Sequence, residues 1–129
     1  MHGVAPMIRG VVTANREAIV RLVVAGPVQQ REEVEAVINT GFNSFLTLPS
    51  QVIHTLTLPF VGHRRVMLAD GRSVVLDLYL AMVLWNEEAR EVLVLQAEGG
   101  PLIGMSLLYH HRVILHVIEN GAVIIDTLA

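Results

Sequence analysis

The segment of the sequence with the clearest chemical content runs from residue 37 to residue 42 and reads Val-Ile-Asn-Thr-Gly-Phe. Two apolar residues lead there into the carboxamide of Asn39, the hydroxyl of Thr40 and the glycine Gly41. A glycine lets another backbone approach closely, and a hydroxyl can brace a neighbouring loop through hydrogen bonds. An isolated Asn-Thr-Gly is usually an ordinary turn, because Asn and Gly dominate turns. A chemical role for Asn39 therefore depends on the segments that accompany it.

Two later segments could complete a site with this loop. Residues 66–69 and 73–76 flank Asp70-Gly71, a dipeptide suited to the positive φ angles of a two-residue type I′ turn. We therefore predict a β-hairpin with its tip at Asp70-Gly71. Further along the chain, Leu102-Ile103-Gly104 repeats the pattern of two apolar residues followed by a glycine.

In order, spacing and total length, these segments resemble the retropepsin-like aspartic proteases over roughly residues 8 to 127. In that family the catalytic loop reads apolar-apolar-Asp-Thr/Ser-Gly, a hairpin flap closes over the substrate, and an apolar-apolar-Gly element packs under the catalytic loop. Leu46-Thr47-Leu48-Pro49 and Leu68-Ala69-Asp70-Gly71 are also similar to compact bacterial members of the group. The resemblance implies an all-β, retropepsin-like closed barrel with a flap hairpin, one or two short helices and one half-site per chain.

The resemblance also implies which residues form the site. The catalytic loop would be Asn39, Thr40 and Gly41, the substrate-binding flap Leu68, Ala69, Asp70 and Gly71, and the structural support of the loop Leu102, Ile103 and Gly104. The implied reaction uses no cofactor and no metal ion.

Hydrolysis of a peptide by water needs a general base and a general acid at one site, and two carboxylates that share one proton supply both. One chain of this length offers one such loop, so the resemblance implies a homodimer in which two loops meet at a two-fold axis. Related dimers pair their terminal strands, which indicates residues 8–12 and 113–127 as the interface. An extended peptide or protein substrate would bind as an added strand, with alternating apolar pockets selecting its side chains.

Asn39 departs from the family pattern at the position of the catalytic aspartate. A carboxamide nearly matches a carboxylate in shape, but it is neither a usable base nor a suitable proton donor. We therefore predict an aspartic peptidase fold that is inactive in this Asn39 form. The surrounding segments still fit catalysis, which favours an introduced substitution. The alternative is a natural pseudoprotease that acts as a peptide-binding or dimeric interaction module.

Other candidate chemistries have less support. The three aspartates, Asp70, Asp77 and Asp126, do not precede a Thr/Ser-Gly pair, so none marks a second catalytic loop. His110 and His111 are adjacent, and adjacent residues on extended backbone point to opposite faces. We therefore predict no metal site.

The rest of the pattern predicts short strands and little helix. Apolar runs bounded by turn residues predict strands at roughly residues 8–12, 19–24, 34–38, 45–48, 66–69, 73–76, 79–85, 91–96, 113–118 and 122–127. A short helix follows Pro49, and one or two helical turns cover residues 105–109. Asn120-Gly121 predicts a second type I′ turn. These elements indicate a mostly β barrel or sandwich.

Composition bounds the partners. A length of 129 residues fits one domain, 1–129, and 53% hydrophobic against 16% charged residues excludes intrinsic disorder. The net charge of −3, with nine Arg and no Lys, is too weak and dispersed to bind a phosphate backbone, so we expect no nucleic-acid partner.

Two stretches bear on localisation. The first residues lack the basic and continuous apolar regions of a signal peptide, which predicts a cytoplasmic chain. Residues 36–63 carry no formal charge, but asparagines, prolines and other polar residues interrupt them, so we expect no membrane span.

Overall fold

The structure, a computed structural model, describes residues 7–68 and 70–128. Strands make up 56% of the described residues and helices 8%, which confirms the prediction of an all-β protein. The elements within the described ranges are β1 (Met7–Val12), β2 (Ala18–Ala25), β3 (Arg31–Ile38), β4 (Leu46–Leu48), α1 (Ser50–Thr55), β5 (Phe60–Met67), β6 (Ser73–Trp85), β7 (Glu88–Gln96), β8 (Leu102–Ile103), α2 (Met105–Leu108), β9 (His111–Leu115) and β10 (Ala122–Thr127). Across these ranges, no helix has the length and apolar character needed to cross a membrane.

The strands form one sheet in the order β5-β6-β7-β4-β8-β3-β2-β1-β10-β9. Strand β6 also pairs with β2, where Val24 lies opposite Val83 and Ala25 opposite Met82. This pairing closes β2, β3, β8, β4, β7 and β6 into a six-stranded barrel, which confirms the predicted closed barrel. Strand β5 extends the sheet beyond β6, and β1, β10 and β9 extend it beyond β2.

Alternation along the strands decides which side chains fill the barrel. In β2, Val20, Leu22 and Val24 are buried while Arg21 between them is exposed, as the two-residue period of a strand requires. Burying one large aliphatic side chain stabilises the fold by about 1.5–3 kcal/mol. The fully buried side chains include Leu22, Leu46, Leu48, Ile53, Leu56, Leu95, Ile103, Leu107 and Ile125.

The predicted hairpin between β5 and β6 forms, but its tip has a different geometry. The N–H of Leu68 donates to the carbonyl of Arg72 (2.7 Å), and the N–H of Gly71 donates to the carbonyl of Leu68 (3.0 Å). Of the described tip residues only Gly71 has a positive φ, +86°, whereas a type I′ turn needs two in succession. The predicted two-residue turn at Asp70-Gly71 is therefore wrong, and Leu68 and Arg72 close a longer turn.

A two-residue turn with two positive φ angles occurs instead between β6 and β7. Asn86 and Glu87 have φ values of +51° and +69°, and Trp85 pairs with Glu88 across the turn. Strand β6 runs unbroken for 13 residues, so the two strands predicted at 73–76 and 79–85 are one. The burial of Trp85 favours this register, because a slip by one residue would turn the indole outward.

Strands β9 and β10 pair as predicted, but residues 116–121 form a longer connection than the predicted type I′ turn. The N–H of Gly121 donates to the carbonyl of Ile118 (2.8 Å), and the N–H of Asn120 donates to the carbonyl of Val12 (2.9 Å). Asn120 has a φ of +61°, while Gly121 is not in the positive-φ region. The connection between β9 and β10 is therefore hydrogen-bonded to β1 and does not form a tight two-residue turn.

Side chains fasten the β9–β10 hairpin to the barrel. The indole Nε1–H of Trp85 donates to His111 Nε2 (2.9 Å), and His111 Nδ1 lies 2.8 Å from the carbonyl of Tyr109. An indole N–H can only donate, so Nε2 is the acceptor and Nδ1 carries the ring proton. Within the hairpin, Arg112 of β9 pairs with Asp126 of β10 (2.6 Å). The hydrogen bond from Arg112 lowers the pKa of the Asp126 carboxyl.

Candidate active site

Asn39 begins the loop that leads from β3 to β4. Its N–H donates to the carbonyl of Ile103 (2.9 Å), and its carbonyl accepts from the N–H of Phe42 (3.1 Å). Its side-chain Oδ1 accepts from the N–H of Gly41 (2.9 Å), which closes a local turn. The Asn39 side chain is thereby held in one orientation and half-buried, while Thr40 is exposed.

Strand β8 supports the start of this loop. Strands β3 and β8 pair in parallel, with Val37 opposite Leu102 and Ile38 opposite Ile103. The N–H of Leu102 also donates to the buried hydroxyl oxygen of Thr47 in β4 (2.9 Å). The structure therefore places the Asn39 loop and the Leu102-Ile103-Gly104 segment side by side.

Gly104 lies where no side chain fits. A Cβ at this position would lie 2.1 Å from the carbonyl oxygen of Ser44 and 2.6 Å from the ring of Phe42. This close approach lets the start of α2 bind the loop. The N–H of Met105 donates to the carbonyl of Phe42 (2.7 Å), and the N–H of Ser106 donates to the carbonyl of Ser44 (3.1 Å). The loop is thus braced along its length.

The β5–β6 hairpin faces this loop across a cleft. The cleft has a volume of about 260 Å³. It is lined by Gly41, Phe42, Asn43, Ser44, Arg64, Arg65, Val66, Met67 and Leu95. One wall is thus the loop that follows Asn39, and the other is mainly β5.

The predicted flap residues lie at the end of this hairpin. Leu68, Asp70 and Gly71 form the tip and do not line the cleft, and Ala69 lies outside the described residues. The Asp70 carboxylate accepts from the backbone N–H of Arg72 (3.0 Å) and from its Nε (2.7 Å). The backbone hydrogen bond, followed by the one to the guanidinium, lowers the pKa of Asp70. Local contacts therefore hold the tip.

Sequence reasoning missed Arg64, which joins the two walls of the cleft. Its Nη1 donates to the hydroxyl oxygen of Ser44 (3.1 Å). Arg64 is half-buried and Ser44 is only 8% exposed. The sequence does contain a signal, because Arg64 ends the uncharged stretch 36–63. That signal does not tell which face of β5 carries the side chain.

In the described part of the chain, His110 and His111 do not combine with acidic residues into a metal site. His110 is exposed, with a φ of +69°, while His111 is engaged with Trp85. Within residues 7–68 and 70–128, no group of three or more His, Cys, Asp or Glu side chains could hold a metal ion.

Asn39 and Thr40 do not line the cleft, whose loop wall begins at Gly41. The chemistry available at the start of the loop is set by the side chain at position 39. The carboxamide of Asn39 can accept and donate hydrogen bonds, but it cannot exchange a proton with a water nucleophile. A carboxyl at that position would supply a proton-transfer group.

Comparison with known proteins gives no family assignment. No protein-family model matches the sequence, and no curated protein matches it. The functional interpretation therefore depends on the geometry of the Asn39 loop, β8 and the cleft.

Proposed function

We propose that this chain is one half of a dimeric, retropepsin-like aspartic endopeptidase, inactive in this form because Asn39 stands at the position of the catalytic aspartate. The protein binds an extended peptide between the Asn39 loop and β5. The observation that carries the proposal is the hydrogen bond from Asn39 to Ile103 of β8, at the base of the cleft-forming loop. It joins the two sequence segments whose pattern resembles that family.

The position of the side chain at residue 39 also supports the proposal. Oδ1 of Asn39 is held by the N–H of Gly41, a bond that a carboxylate oxygen would accept equally well. Replacing the amide by a carboxyl therefore requires no change in the loop. A single carboxyl cannot act as base and acid at once, so the reaction needs a second copy of the loop.

The outer edge of the sheet supports a homodimer. Strand β9 lies at one end of the sheet, and in the described part of the chain no strand pairs with its outer edge. The loop that follows it exposes Val117 and Ile118, each at 69%. An open strand edge beside exposed apolar side chains favours association with another chain. This edge belongs to the terminal segments predicted as the interface.

The test is to create the missing carboxyl. We expect Asn39→Asp to raise peptide cleavage at least about a hundredfold over the present chain, because general acid–base catalysis contributes about 10²- to 10⁴-fold. The two facing carboxyls of the dimer raise the second pKa of the pair, so the rate follows a bell-shaped, acidic pH profile. A mixed peptide library, incubated from about pH 3 to 8 and read by mass spectrometry, measures this.

Asn43→Asp is the matched control. It adds the same charge to the same loop, at an exposed position that lines the cleft but lies four residues from Asn39. It should give no cleavage. Equal activity of both variants, or none from a dimeric Asn39→Asp protein at any pH, would contradict the proposal. Peptide binding without cleavage by that dimer would favour the natural peptide-binding module instead.

A further inference from the structure

The cleft is lined by two arginines, Arg64 and Arg65, which the apolar pockets expected from the sequence do not explain. Arg64 lies on β5 opposite Leu76, and it lines the cleft with its guanidinium bonded to Ser44. Among the described residues, no carboxylate forms an ion pair with Arg64. Arg72 and Arg112, in contrast, are each paired with an aspartate.

The hydrogen bond to Ser44 leaves donors available in the cleft. The serine oxygen accepts from one nitrogen of the guanidinium, so its own O–H proton remains free to be donated. A guanidinium has five N–H donors in a planar fork, and this bond uses one of them. Both residues line the same 260 Å³ cleft, so a carboxylate there can accept from Arg64 and Ser44 together.

The surroundings favour an anion over a neutral group. Apart from Arg64, Arg65 and Ser44, the lining side chains are apolar or amide, namely Phe42, Asn43, Val66, Met67 and Leu95. The carboxylate of Asp70 is held by Arg72 at the tip, and Asp77 pairs with His63 on the hairpin. Neither residue lines the cleft. A half-buried guanidinium without a counter-charge gains most from a ligand that supplies one.

We infer that Arg64 and Ser44 form a subsite for an acidic side chain, so that the cleft selects extended peptides that place a glutamate or aspartate beside these two residues. This inference rests on the proposed function, because it treats the cleft as a peptide groove. It concerns selection and not the chemical step, so it can be measured on the present Asn39 chain.

The test is a binding assay with matched peptides. Fluorescein-labelled apolar decapeptides carry a single glutamate at successive positions, and each has a partner with glutamine at the same position. By fluorescence anisotropy at about 0.15 M salt, we expect glutamate at one position to bind about five-fold more tightly than glutamine. This is the scale of a partly exposed, charge-assisted pair. The preference should weaken below about pH 4, where a glutamate side chain is protonated.

Variants at Arg64 identify the residue responsible. Arg64→Gln should remove the preference for glutamate, and Arg64→Lys should retain part of it, because the charge remains without the planar fork. Arg65 lines the same cleft, but it is exposed, and the bond to Ser44 comes from Arg64. Arg65→Gln therefore removes an equal charge from the cleft and should retain most of the preference. Circular dichroism of each variant verifies that the fold is intact.

Several results would overturn the inference. One is equal affinity for glutamate and glutamine peptides at every position, and another is no binding of any peptide. The others are a preference for glutamate that survives Arg64→Gln, or a loss of that preference in Arg65→Gln as large as in Arg64→Gln. Failure of Asn39→Asp to cleave would reject the proposed reaction but leave a measured preference for glutamate intact. Cleavage without any such preference would reject only the acidic subsite.

Discussion

The loop that follows Asn39 and the tip of the β5–β6 hairpin are held in place by different kinds of contact. The loop after Asn39 is braced from outside itself, by Ile103, by the first N–H groups of α2 and by the close approach of Gly104. The hairpin tip at Leu68 to Arg72 is held by bonds among its own residues, and Met67 beside it is 74% exposed. Contacts from other elements fix the loop, whereas the tip depends on its own residues, so we expect the tip to open more readily than the loop.

The largest effect that tests this contrast comes from Gly104→Ala. A Cβ there meets the backbone oxygen of Ser44, so we expect a loss of about 3 kcal/mol in the free energy of unfolding, the upper range for overpacking. Gly71→Ala is the matched control, because a Cβ at Gly71 meets nothing within 4 Å. It should cost only about 1 kcal/mol for its positive φ. Urea denaturation measures the free energy of unfolding of both variants. Equal losses would show that the loop and the hairpin tip are equally constrained.

Hydrogen exchange should show the next largest difference. We expect the amides of Asn39, Met105 and Ser106 to exchange at least about a hundredfold more slowly than those of Leu68 and Gly71, after correction for intrinsic rates. The amides of the loop and of α2 exchange only when the contacts between the loop, β8 and α2 open. The amides of Leu68 and Gly71 exchange when the hairpin tip opens by itself. NMR-detected exchange of the unliganded protein measures this. Uniformly slow exchange along the hairpin would instead show that the tip is as fixed as the loop.

The smallest effect concerns the carboxylate at the tip. The pKa of Asp70 lies below its ordinary value of 3.8, so the contribution of its bonds to Arg72 is present above that value and is lost as the pH falls through the lowered pKa. We expect the Arg72 amide shift to titrate with a midpoint below 3.8 while the loop amides stay unchanged. Asp70→Asn should remove this titration. Loop amides that titrate with Asp70 would show that the tip and loop are coupled.

The sequence predicted the classes of element better than their connections. Alternating apolar residues identified the all-β class, because burial of one face fixes a strand pattern directly. They left a barrel and a sandwich open, and the closed barrel was implied by the resemblance alone. The turn dipeptides were less reliable. Asp70-Gly71 and Asn120-Gly121 have favourable turn chemistry, yet the two-residue turn formed at Asn86 and Glu87, where the pairing of β6 with β7 imposed it.

Arg64 shows why part of the candidate site could not be predicted. Its partner Ser44 is 20 residues earlier in the chain, and the two meet only because β5 lies over the loop. The loop and the segment that supports it were easier to predict from the sequence, since each has a local pattern, Asn39-Thr40-Gly41 and Leu102-Ile103-Gly104. A contact between a common surface residue and a common loop residue carries no such pattern. It depends on the tertiary arrangement.

The bond between Trp85 and His111 gives the protein an optical reporter of its own. Trp85 is the only tryptophan in the chain, and its indole lies against the imidazole with ring centroids 5.5 Å apart. Opening the contact between the barrel and the β9–β10 hairpin would break the hydrogen bond from the indole and move the imidazole away from the ring. The intrinsic fluorescence of the unlabelled protein therefore follows the seam between the barrel and the β9–β10 hairpin, whichever ligand or second chain is added.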